Sequence, residues 1–224
     1  MWHRRRLAIF GGLFFLSACL DIGDTSANIS PAWFQAAAPR SALLAEGTFR
    51  VVGPTGYCVD PGSVGGEGQN TAVLAACNSL ANSVYAGPPV TPAVVLVSVS
   101  DGAQAVAGLD QAAQLAALNT PAGLTGLSGA GTAGIVEFVA SDITDDSYVL
   151  HLSDAGLPAT RGLAPDHARA VFDLNGRVVS VAAFGISGNR WNMTQSRRLV
   201  NQTMAALRAA NIARPVVSEL PPNN

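Results

Sequence analysis

Asp166-His167-Ala168-Arg169-Ala170-Val171-Phe172-Asp173-Leu174-Asn175-Gly176-Arg177-Val178-Val179-Ser180-Val181-Ala182-Ala183-Phe184 is the stretch that decides the fold. Asn175-Gly176 suits a two-residue hairpin turn, because both turn positions need a positive φ. The runs on either side, 166–174 and 177–184, therefore read as two antiparallel strands. A helix follows. Asn192 or Thr194 supplies its cap, and Leu199, Val200, Thr203, Met204 and Leu207 fall on one apolar stripe running to about residue 211. Arg197, Arg198 and Arg208 lie mostly off that stripe. A hairpin followed by a one-sided helix predicts a helix laid on a sheet face.

Working outward, residues 93–100 carry Val94, Val95, Leu96, Val97 and Val99, and β-branched density of this kind favours a strand. Residues 134–142 and 148–153 read as two strands around Thr144-Asp145-Asp146-Ser147. Residues 48–52 and 57–59 have strand character with Gly53-Pro54-Thr55-Gly56 turning between them, and 71–77 is an apolar run of strand length. A second helix is expected over 110–119, stopped by Thr120-Pro121. Residues 121–134, with five glycines, read as a connector. The order is strands, helix, strand pair, hairpin, helix. It predicts an α+β domain over 46–212: a mainly antiparallel sheet with one or two helices packed on a face.

The N-terminus has a different character. Arg4-Arg5-Arg6 precedes a short apolar run from Leu7 to Leu16, and Ser17-Ala18-Cys19 closes it. A charged start, a greasy core of about ten residues and small residues before a cut site make a secretory signal, too short to span a bilayer. Leu16-Ser17-Ala18-Cys19 resembles a bacterial lipobox. That resemblance implies cleavage after residue 18 and a lipid on the sulfur of Cys19, so that the chain's first partner is a bilayer. Leu20 rather than aspartate follows Cys19, which by similarity to lipoprotein sorting favours the outer membrane. Residues 19–45 then read as an acylated start and a tether, whose flexible part of about twenty residues coils to roughly 25 Å. Trp33 and Phe34 in it are expected to dock back on the domain. Residues 213–224 read as a disordered tail.

Charge and cysteine content narrow the function. All 13 basic residues are arginine, against 15 acidic ones. Losing Arg4, Arg5 and Arg6 with the signal moves the net charge from −2 to −5, a poor balance for nucleic acid. Without lysine there is no Schiff-base chemistry and no Walker-type phosphate loop. Gly65-Gly66-Glu67-Gly68 leads into an apolar strand rather than a helix, so it is not read as a phosphate cradle. Cys58 and Cys77 are the remaining thiols. In an exported chain an even pair most simply forms a disulfide. If 57–59 pairs antiparallel with the end of 71–77, Cys58 lies opposite Cys77. A redox pair is the alternative, and it needs an exposed, easily reduced bond.

Catalytic motifs are lacking. Gly126-Leu127-Ser128-Gly129-Ala130 and Gly185-Ile186-Ser187-Gly188 both miss the nucleophile-elbow pattern. Asp142, Asp145 and Asp146 lack the further oxygen ligands of a calcium loop and read as solvated turn carboxylates. No metal or cofactor is expected. The best constellation is Arg161, Asp166, His167 and Arg169, with His151 approaching from a neighbouring strand. Two guanidiniums would hold an anionic group while His167 titrates. The plainer reading is a turn in which Asp166 pairs with Arg169 and His167 sits on the surface.

Three segments carry a family resemblance beyond the lipobox: Gly56-Tyr57-Cys58-Val59-Asp60-Pro61, Val73-Leu74-Ala75-Ala76-Cys77, and Ala170-Val171-Phe172-Asp173-Leu174-Asn175-Gly176-Arg177-Val178. Together they resemble uncharacterised alphaproteobacterial envelope lipoproteins, over most of the chain after Glu46. The resemblance implies a Cys58–Cys77 disulfide and no activity. The late hairpin and helix are also similar in order to the Mog1/PsbP type of sandwich, an analogy of elements alone. The expected function is a periplasm-facing, non-enzymatic accessory or interaction module, with an envelope protein as its candidate partner. The rival is a small anionic ligand binder or hydrolase built on residues 161–169 with His151, which requires those side chains to meet in one concavity.

Overall fold

The computed structural model describes residues 38–64, 70–80, 91–100, 111–128, 136–144, 147–157 and 161–212. In chain order the strands are β1 (Ser41–Leu44), β2 (Phe49–Val52), β3 (Tyr57–Val59), β4 (Thr71–Ala76), β5 (Ala93–Val99), β6 (Val136–Thr144), β7 (Ser147–Asp154), β8 (Asp166–Leu174) and β9 (Arg177–Gly185). The helices are α1 (Cys77–Leu80), α2 (Gln111–Leu118), α3 (Pro121–Leu127) and α4 (Met193–Ala210). β3, β4, β5, β9, β8, β7 and β6 pair in that order into one antiparallel sheet, and β1 and β2 form a separate two-stranded ribbon. This is the expected α+β plan.

The central hairpin forms as its sequence requires. Asn175 and Gly176 both take positive φ, 53° and 72°, and Leu174 faces Arg177 across the turn. Alternation then sorts the side chains of β8. Ala168, Ala170 and Phe172 join Val179, Val181 and Ala183 of β9 in the main core, under Leu199, Val200, Met204 and Leu207 of α4. Each large side chain so buried contributes roughly 2 kcal/mol of transfer free energy. Asn192 caps α4 through a reciprocal pair with Gln195. Ser196, fully buried, accepts the Ala168 N–H and donates to the Ala183 carbonyl. These two residues face each other across β8 and β9, so one hydroxyl ties the helix's first turn to both strands. The opposite face is covered at its β6–β7 end by Leu115, Leu118, Leu124 and Leu127 of α2 and α3, which pack on Tyr148, Leu150 and Leu152.

Three expectations about elements need correction. Residues 121–134 were expected as connector, yet Pro121–Leu127 is helix. Thr120 accepts the Gly123 N–H and Pro121 occupies the first helical turn, so the pair that ends α2 also starts α3. The tether was expected to reach residue 45, yet Ser41–Leu44 is β1, paired with β2 along its length. Its neighbours hold it further, since Val59 N–H donates to the Pro39 carbonyl and Gly53 N–H to that of Arg40. Third, Cys58 faces Ala75, and Cys77 lies beyond the strand at the first position of α1. Cys19, Trp33, Phe34, Gly65 to Gly68, Asp145, Asp146 and the tail from residue 213 lie outside the described residues.

The disulfide between Cys58 and Cys77 is formed, with Cα atoms 4.8 Å apart. Both cysteines are buried, at 3% and 2% exposure. That departs from the exposed bond a redox pair needs. The bridge closes a loop of about twenty residues, for which chain entropy gives roughly 3 kcal/mol. Cys58→Ser with Cys77→Ser is therefore expected to lower the urea unfolding free energy by about 3 kcal/mol, while mild reductant leaves the native bond intact. Full reduction of the folded chain within minutes would contradict this burial argument.

Candidate functional site

The five candidate residues do not meet. His151 pairs with Ala168 across β7 and β8, and Leu152 pairs with His167. Successive side chains on a strand point to opposite faces. His151 and Asp166 therefore share the face that carries α4, and His167 and Arg169 lie on the other. Arg161 is exposed in the segment before β8. Asp166 accepts a hydrogen bond from Ser153 Oγ at 2.8 Å. The expected Asp166–Arg169 pair is absent among the described residues, because three positions along a strand reverse the face. The expected surface position of His167 is also corrected: it is fully buried.

On the far face His167 stacks on Phe184, ring centroids 4.6 Å apart, and its Nδ1–H donates to the Pro165 carbonyl at 3.1 Å. Nε2 is buried with no hydrogen-bond partner, as is Nε of Arg169. Asp154, fully buried, accepts from Ser128 Oγ at 2.9 Å and from the Gly156 N–H at 3.0 Å. Burial pushes the His167 pKa down to about 4, and nearby Arg169 adds to this. The Pro165 hydrogen bond and the carboxylates of Asp154 and Asp166 oppose it. Burial likewise lowers the pKa of Arg169.

The unfolded chain takes up the His167 proton near pH 6.5, the folded chain only near 4. Stability from this residue is complete above 6.5 and falls as pH drops to 4, by about 3 kcal/mol in all. His167→Asn keeps a donor toward the Pro165 carbonyl and cannot titrate. Urea unfolding between pH 7 and 4.5 should fall less steeply in this variant than in the wild type. Parallel slopes would contradict the assignment.

A concave surface lies on the other face, where α4 leaves β6 and β7 partly uncovered. A groove of about 620 Å³ runs there between α4 and the β6–β7 hairpin. Asp142, Ser147 and Val149 line one side, and Arg197, Asn201 and Arg208 the other. The Asp142 carboxylate bridges two elements, 3.2 Å from Arg197 Nη1 and 3.4 Å from His151 Nε2. The Arg208 guanidinium lies over the Phe172 ring, 5.1 Å from its centroid. Two smaller hollows of about 570 and 370 Å³ continue across the outer face of α4, past Arg198 and Gln202 to the Gly53-Pro54-Thr55 turn.

Sequence reasoning named Arg197 and Arg208 only as residues off the apolar stripe. The missed signal is their spacing. Arg197, Asn201, Ala205 and Arg208 recur at helical intervals and so share one side of α4. Asp142 sits inside β6 rather than in a turn. Among the described residues no group of three or more His, Cys, Asp or Glu could hold a metal ion. None of their helices is long and apolar enough to cross a membrane.

No protein-family model matches the chain, and no curated protein does. Among solved structures it is similar to a point mutant of the protein Mog1, at 14% identity and TM-score 0.38, over 76% of this chain and 89% of that one. It is also similar to the extracellular domain of PknH from Mycobacterium tuberculosis, at 11% identity and TM-score 0.31, over 71% and 81% respectively.

Proposed function

We propose that this chain is a lipid-anchored lipoprotein of the cell envelope, whose domain faces the periplasm as a non-enzymatic accessory or interaction module. The observation that carries the non-enzymatic half is the strand parity of the candidate cluster. A hydrolase or ligand site built from it needs His151 beside His167 and Arg169, and a seven-stranded sheet lies between them. A neutral, fully buried His167 is also unavailable as a base for an external substrate. The lipobox supports the anchor, Leu20 supports the outer membrane, and the Cys58–Cys77 bond fits an oxidising compartment.

The test is metabolic labelling of the full chain with an alkyne palmitate in a Gram-negative host, followed by membrane fractionation. Label on the wild type, absent from Cys19→Ala, with the wild type in the outer-membrane fraction, is the expected result. An unlabelled wild type, or label that persists in Cys19→Ala, would refute the anchor.

A further inference from the structure

Arg169 stands as a lone cation in an apolar row. Leu96 of β5 pairs with Ala182 of β9, Ala182 with Arg169 of β8, and Arg169 with Leu150 of β7, so these four side chains run across one face of the sheet. It is the face opposite α4, and α2 and α3 cover it at the β6–β7 end. Leu150 and Ala182 are buried, while Leu96 and its neighbour on the same face, Val94, are half-buried. Nε of Arg169 is buried without a hydrogen-bond partner, and among the described residues no carboxylate lies within ion-pair distance of the guanidinium. Asp154 on the same face is engaged by Ser128 Oγ and the Gly156 N–H. His167, two residues along β8, is neutral at pH 7 and adds no second charge. A guanidinium held against buried leucine and alanine loses hydration, and here no anion replaces it. Groups left in this state concentrate at binding sites, where a ligand supplies the missing charge.

We infer that Arg169 binds the carboxylate of a small monocarboxylic acid, whose apolar body lies along the row toward Leu96 and Val94. This goes beyond the accessory role proposed above, and it needs neither His151 nor Arg161. Charge sets the head group. One guanidinium beside a neutral histidine balances one negative charge, whereas a phosphate monoester carries close to two at neutral pH and leaves an excess in an apolar setting. The planar guanidinium also matches a carboxylate through two parallel hydrogen bonds. The neighbours set the body. Leu96 packs against Ala182 and Phe184 and keeps part of its surface open, which an alkyl or aryl group can cover. Ala182, between Arg169 and Leu96, places no bulk between the head group and that surface.

The test is isothermal titration of the purified full chain with hexanoate, acetate, hexanamide and hexyl phosphate. Hexanoate should bind roughly tenfold or more tightly than each of the others: acetate lacks the chain, hexanamide lacks the charge, and hexyl phosphate carries a second one. Arg169→Met keeps an unbranched apolar side chain at this position. It should bind hexanoate roughly tenfold or more weakly, yet melt no lower than the wild type, because the cation it removes had no partner. Hexanoate should raise the melting temperature of the wild type and leave that of Arg169→Met unchanged. The proposal is overturned by the absence of saturable binding of hexanoate, by hexanamide or hexyl phosphate binding as tightly, or by equal binding to Arg169→Met. It is also overturned if Arg169→Met fails to fold, which gives the arginine a structural role instead. Palmitate labelling is independent of all these outcomes, so the anchor and the carboxylate site fail separately.

Discussion

Phe172→Ala is expected to destabilise the domain by about 4 kcal/mol and to remove the ring beneath the Arg208 guanidinium at the same time. Phe172 is fully buried between β8 and α4 and belongs to the main core. Truncating a buried phenylalanine removes transfer free energy and leaves a cavity, together about 3–5 kcal/mol. In a domain of this size that lowers the melting temperature by roughly 10 °C. The ring is also the platform for Arg208. Phe172→Leu restores most of the volume without the aromatic face. It should recover most of the stability while leaving the guanidinium without its stack. Thermal unfolding of both variants separates packing from positioning. A loss under about 1 kcal/mol in Phe172→Ala would mean that α4 does not seat on this ring.

Asn211→Ala is expected to cost a similar amount and to do so locally. Its side chain at the end of α4 imitates one rung of a β-ladder. Oδ1 accepts the Arg50 N–H at 2.8 Å, and Nδ2 donates to the Arg50 carbonyl at 2.7 Å. The Asn211 carbonyl accepts from Asn175 Nδ2 at 2.7 Å, so helix end, hairpin turn and β2 are joined at one residue. Alanine leaves two backbone groups of Arg50 unpaired, at about 1–3 kcal/mol each. Total loss of about 4 kcal/mol is the expected result. Amide exchange of β1 and β2 should accelerate far more than that of β5 and β9, because among the described residues β1 and β2 form a sheet only with each other. Uniform acceleration across all strands would refute this local role.

The fold was legible where one chemical feature dominates. Asn175-Gly176 has few alternatives to a tight turn, and the stripe from Leu199 to Leu207 has few alternatives to a helix. It was illegible where a signal has two meanings. Thr120-Pro121 ends one helix and begins the next, and only the space above β6 and β7 decides that α3 forms. Ser41–Leu44 has no strand pattern of its own; pairing with β2 and the Pro39 contact to Val59 create it. The candidate cluster failed for a third reason. His167 and Arg169 share a face by parity, which sequence gives, but the face of His151 depends on the β7–β8 register. That register is the pairing of Leu150 with Arg169 and of Leu152 with His167, and the alternation within each strand does not fix it. The arginines of α4 were visible throughout, yet their meaning required knowing that β6 and β7 extend past the helix.

The interaction module proposed above would meet its partner from the anchored domain, and the α4 groove is a concave surface of that domain. Photo-crosslinking in living cells tests it most directly, with a photoreactive amino acid at Asn201 in the wild-type and Cys19→Ala backgrounds and at Arg161 as a control. The expected result is a discrete protein adduct from Asn201 in the anchored chain, lost with Cys19→Ala and not formed from Arg161. No adduct from Asn201, or the same adduct from Arg161, would contradict it.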